Sequence, residues 1–205
     1  DHISPSSMKR LSDVVASHNR FVVTTAVTGR RVCKPMLDVL TKYCEENDAH
    51  ILVLVSSDPA TNSFAPNAKY GTIDKELISN PLVTLVVADT ALNSNICLST
   101  VKLSAKQIDP ATSMNRIASK NGTFIFASPK QRLKAVPVSN EKYPNFTMTT
   151  GAITVPDYSS DSYMSLRTAF IANHDHVMGA LVVEVQDNKH YFFRQMQFLD
   201  NESII

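Results

Sequence analysis

His174-Asp175-His176 is the densest cluster of metal-ligand side chains in the chain. On a strand, His174 and His176 would share a face and could fill two positions around a divalent ion. Two ligands do not make a centre, and no spacing in the sequence aligns the nearby carboxylates Glu184 and Asp157 with them. A structural role, or a role behind a ligand supplied by another group, is the reading these two histidines support. Hydrolase patterns are missing as well. There is no G-x-S-x-G and no H-E-x-x-H, and the order Asp-x-His, Gly-Asp, Gly-Asn-His is not found. Pro156-Asp157 could open a nuclease carboxylate set, but Glu184 is followed by Val185-Gln186 and the expected Glu-x-Lys is absent. No catalytic residue and no metal ligand is therefore assigned.

Cations offer a different chemistry. Arg30, Arg31 and Lys34 follow an apolar segment and precede Pro35, which opens a helix. Free N–H groups and the helix dipole favour anions at such a terminus. The turn holds one glycine, Gly29, so neither G-x-G-x-x-G nor G-x-x-x-x-G-K is present, and a dinucleotide or P-loop reading has no support. The three cations either solvate a turn or meet phosphate. Lys130, Arg132 and Lys134 lie in a sequence at 128–134 that reads as a turn, where they either guard a strand edge or contact a phosphate backbone. The 20 basic and 19 acidic side chains nearly cancel, at +1, so any DNA contact must come from a local patch. The chain has no Trp and 7% aromatics, which argues against a stacking platform for single strands.

Two further features are anomalies of pattern. Glu184 interrupts the apolar run 180–185. A three-residue loop of Asp187-Asn188-Lys189 places it opposite Phe192, on the face of His190 and Arg194; a two-residue loop turns it towards Tyr191 and Gln195. It is either the wet side of a strand or half of a buried pair with Arg194. Thr149-Thr150-Gly151-Ala152-Ile153-Thr154 joins hydroxyls to a glycine that would let a backbone or a ligand approach closely.

The elements that must position these residues follow from periodicity. Residues 1–20 read as an amino-terminal helix and 21–205 as a single α/β domain. Segments 21–27, 50–55 and 83–88 are apolar throughout, as strands covered on both faces are, and a helix opened by Pro35 joins the first two. These three are expected to lie parallel in one sheet. Residues 56–70 read as a long loop, 112–119 as a short helix, and 96–103, 123–127 and 133–138 as further strands. Segments 180–185 and 190–198 flank a turn and predict an antiparallel hairpin. The fold class is thus α/β: one mixed, mainly parallel sheet with helices on both faces and a carboxyl-terminal antiparallel hairpin. Cys33, Cys44 and Cys97 are odd in number and far apart, as reduced cytosolic thiols are. No apolar run approaches the length of a membrane span. The chain starts without Met and stops on Ser203-Ile204-Ile205, an apolar end expected of a piece of a longer polypeptide.

Three segments of the last third carry a resemblance. They are Thr149-Thr150-Gly151-Ala152-Ile153-Thr154-Val155-Pro156-Asp157-Tyr158, His176-Val177-Met178-Gly179-Ala180-Leu181-Val182-Val183-Glu184-Val185 and Phe193-Arg194-Gln195. They resemble the T-T-G-A-[VI]-T, H-x-x-G-A-x-x-V-E and F-x-R-Q segments of a tailed-phage calcineurin-like metallophosphoesterase/DNase family. Its members include an early protein of T5-like phages linked to destruction of host DNA. The resemblance implies a parent enzyme that is a metal-dependent DNase using Mn or Mg, with a carboxyl-terminal phosphoesterase domain. It also implies double-stranded DNA as partner, a homo-oligomer, and the cytoplasm of the infected bacterial host as location. This chain departs from the family in lacking the phosphoesterase motif order, so it is read as a non-catalytic DNA-binding or oligomerisation region with no cofactor of its own. A free-standing α/β domain binding a nucleotide or small molecule, and a structural assembly domain, stay open as alternatives.

Overall fold

A computed structural model describes residues 5–56, 73–101, 122–138, 144–156 and 166–199. Most of the expected loop at 56–70, the expected helix at 112–119 and Asp157 lie outside the described residues. The first half comprises α1 (Pro5–Ser17), β1 (Arg20–Val27), α2 (Lys34–Asn47), β2 (Ala49–Ser56), α3 (Lys75–Ile78), β3 (Val83–Leu85), β4 (Thr90–Ala91) and β5 (Ile96–Ser99). The second comprises β6 (Thr123–Phe126), β7 (Leu133–Val136), β8 (Asn145–Thr149), α4 (Leu166–Asp175), β9 (Gly179–Val185) and β10 (Tyr191–Gln197).

The first sheet has the order β10-β9-β1-β2-β3. β1 pairs parallel with β2 from Arg20↔Ala49 to Val27↔Ser56, and β2 pairs parallel with β3. The three early strands are therefore parallel neighbours, as their apolar pattern predicts. β9 runs antiparallel to both β1 and β10, which gives the expected hairpin. Phe192 stands opposite Glu184, and the loop closes between Gln186 and His190, so the three-residue alternative is the one adopted. Asp187 holds that loop by accepting from the backbone N–H groups of Lys189 and His190 at 2.7 and 2.9 Å. These bonds and the His190 side chain hold its carboxyl at about 2.

α2 covers one face of this sheet. Its helical spacing brings Met36, Leu37, Leu40 and Cys44 onto Val22, Ala26, Ile51 and Val53. On the opposite face, Phe21, Val23, Leu52 and Leu54 meet Ile96, Leu98, Ile125 and Met148 from a second five-stranded sheet. That sheet has the order β4-β5-β6-β8-β7, with β5, β6 and β8 parallel and antiparallel strands at its edges. The expectation of one sheet flanked by helices is thus corrected. A strand that is apolar on both sides specifies cover on both sides, and a second sheet satisfies that demand as well as a helix does. α1 contributes Leu11 to the same layer. Among the described strands, parallel and antiparallel pairings are evenly divided, so both sheets are mixed. Among the described residues no helix is long and apolar enough to cross a membrane.

Candidate nucleic-acid interface

β1 and β9 pair only as far as Val23↔Leu181. Beyond that point Ala152 enters between them and bridges to Thr25 on one side and Met178 on the other. The wedge is fixed by buried hydroxyls. Thr25 and Thr150 meet at 2.5 Å, Thr24 donates to the Gly179 carbonyl at 2.8 Å, and Thr154 accepts from the Val27 N–H at 3.1 Å. Thr149 accepts from the Arg132 N–H at 2.8 Å. Buried polar groups must find such partners, and here Thr side chains supply them to backbone left unpaired by the splayed strands. Gln131 completes the junction by donating to the carbonyls of Thr150, Ala180 and Met196, at 3.1 to 3.3 Å. Gly151 adopts φ +76°, and a Cβ there would stand 2.9 Å from the Val177 carbonyl.

His174 and His176 are not on a strand. His174 closes α4 with its side chain exposed, 3.4 Å from Asp175, whereas His176 follows the helix and sits 2.7 Å from the Thr154 carbonyl. A carbonyl only accepts, so His176 donates through Nε2–H. Burial pushes its pKa down to about 4, against the opposing effect of that hydrogen bond. The two rings do not converge. Among the described residues no three His, Cys, Asp or Glu side chains gather into a metal-binding group. The described residues therefore do not fit a two-metal phosphoesterase centre. Asp48-Ala49-His50 does have Asp-x-His spacing, but Asp48 is the left-handed C-cap of α2, and His50 is buried against the Thr84 hydroxyl at 2.8 Å. Cys33, Cys44 and Cys97 are free thiols, and burial raises Cys44 to about 12.

Glu184 is half-exposed and pairs with Arg20 at 3.1 Å, not with Arg194. Arg20 is its cross-strand neighbour on β1, whereas Arg194 faces Val182. Arg194 instead lies over the Tyr43 ring, 5.7 Å from its centroid.

Of the expected phosphate donors, one set converges and the other divides. Arg30, Arg31 and Lys34 line an open cleft of 630 Å³ at the carboxyl end of β1, together with Gly29, Asp74 and Glu76. Gly29 turns the chain at φ +76°, and Lys34 and Pro35 open α2 with Cys33 as its N-cap. Asp74 pins this loop by accepting from the Val32 N–H at 2.9 Å, and with its other oxygen it caps α3. Lys34 bonds Asp38 at 2.8 Å on the exposed helix surface, which raises its pKa. In the second set, Lys130 is 6% exposed with its ammonium 3.5 Å from Asp175, so it is spent inside the junction and cannot reach a phosphate. Arg132 is exposed, and Lys134 is half-buried on β7. The expected charged turn is in fact a buried connection, because Ser128 and Gln131 are also buried.

No family model matches the chain, and no curated protein matches it. Sequence reasoning also missed Gln131, Arg20 and His50. Gln131 carried no signal, since an amide in a charged segment reads as surface. The buried His50 was visible as the one polar residue opening an apolar run.

Proposed function

We propose that this chain is the non-catalytic, DNA-contacting region of a phage metal-dependent DNase that degrades host DNA in the cytoplasm of the infected bacterium. The observation that carries the proposal is the convergence of Arg30, Arg31 and Lys34 on one open cleft, where β1 ends and α2 begins. Helices at the carboxyl ends of parallel strands present free N–H groups outward, and cations placed beside them favour phosphate. The three segments that resemble the phage family also lend support, since two of them meet in the Ala152 wedge and build one structural unit. A divalent metal belongs, on this reading, to the phosphoesterase domain and not to the described residues.

Degradation of a whole chromosome cannot rely on base readout, so contact rests on the backbone. A fluorescently labelled duplex titrated with the full chain at low salt should give saturable binding that is equal for two unrelated sequences. Absence of binding would overturn the proposal and leave self-assembly as the role. The purified chain should cleave neither duplex with Mg²⁺ or Mn²⁺. Cleavage that disappears on replacing His174 or His176 would place an active site where none is proposed.

A further inference from the structure

Met36 and Leu40 of α2 share one core with Ala180 and Val182 of β9 and Met196 of β10, and near the carboxyl end of the helix Tyr43 and Asn47 border the same two strands. A second cleft, of 310 Å³, opens there, lined by Arg20, Tyr43, Asn47, Glu184, Phe192 and Arg194. The register sets its floor. Phe192, Glu184 and Arg20 form one row across β10, β9 and β1, and Arg194 stands two residues along on the same face, about 6–7 Å further.

The charges in this cleft are not equivalent. Arg20 is committed, donating to Asn47 Oδ1 and to Glu184 Oε2 at 3.1 Å each, which neutralises the one carboxylate that lines the cleft among the described residues. Among the described residues the exposed Arg194 side chain has the Tyr43 ring and hydroxyl as its polar partners and no carboxylate within ion-pair distance. Phe192, two residues before it on the same face, is 60% exposed. An open ring next to a guanidinium with unused donors is a built pair. The ring offers stacking, and the fork offers bidentate contact to an oxyanion.

We propose that this cleft binds a planar aromatic ring joined to a phosphate, the chemistry of a nucleoside monophosphate, with the ring on Phe192 and the phosphate on Arg194. Phe192 and Arg194 stand two residues apart on one face of β10 and line one cleft, and its volume lies at the lower end of small-ligand pockets. The inference does not depend on the Arg30 cleft. It gives Glu184 the task of holding Arg20 in place.

Isothermal titration of the full chain with dTMP, thymidine and inorganic phosphate tests it. dTMP should bind saturably and more tightly than either part alone. Arg194→Ala should weaken dTMP by about tenfold or more and leave thymidine unchanged. Phe192→Ala should weaken both by about tenfold or more. Both side chains are exposed, so circular dichroism should show the variants folded. No saturable dTMP binding below about 10 mM, phosphate binding as tightly as dTMP, or affinity unchanged in both variants would overturn the proposal.

Discussion

Gly179 has no room for a side chain. A Cβ there would stand 2.8 Å from the Met196 carbonyl and 2.9 Å from the Gln131 amide nitrogen, in the middle of the junction. Gly179→Ala and Gly151→Ala should each lower the free energy of unfolding by about 2–3 kcal/mol, read as a shift of the urea midpoint. Histidine burial sets a pH dependence at the same scale. His50 is 4% exposed, and burial, with His18 and Arg10 adding to it, holds it down to about 4, against about 6.5 for a free imidazole. The folded chain thus keeps His50 neutral where the unfolded chain protonates it. Its contribution is complete above about pH 6.5 and is lost as pH falls from there through 4, by at most about 3 kcal/mol. His176 adds to the same trend. Urea midpoints at pH 7.5 and 5 should differ less in His50→Gln than in the native chain. An equal difference would mean that His50 is not the titrating group.

At the scale of elements, β1, β2 and β3 were legible because Phe21, Val22, Val23, Leu52 and Val53 leave no polar face, and a strand buried on both sides belongs inside a sheet. The hairpin was legible because Asp187-Asn188-Lys189 separates two apolar runs. Three strands of the second sheet, β5, β6 and β7, fall within the segments read as strands, but their assembly into a separate sheet was not legible. Its strands are two to five residues long, and their pairing depends on contacts distant in sequence that local pattern does not encode. Lys130 was misread for a related reason. Charge predicts exposure unless a partner waits inside, and Asp175, 45 positions later in the sequence, is brought to it only by folding. The Arg30, Arg31 and Lys34 cluster was legible because three neighbouring cations beside a helix start need no long-range information. The partner of Glu184 was not legible, since Arg20 lies on a strand from the other end of the chain. Lys130→Met should cost about 1–3 kcal/mol in urea unfolding. Lys130→Met combined with Asp175→Asn should cost less than the sum of the two single changes, as coupled ion-pair partners do.

For the whole molecule, a formal charge of +1 means that no general attraction draws this chain to DNA. Any affinity must come from one side, and the cleft at the end of β1 is where three cations converge. The central claim is that these cations hold phosphates, and affinity for a duplex measured across a salt series tests it most directly. Arg30→Ala, Arg31→Ala and Lys34→Ala, alone and combined, should each weaken binding equally for two unrelated sequences and flatten the slope of log affinity against log salt by roughly 0.9 per lost contact. Lys130→Met, buried and already paired, should leave that slope unchanged. A triple variant with native affinity and native slope would contradict the account.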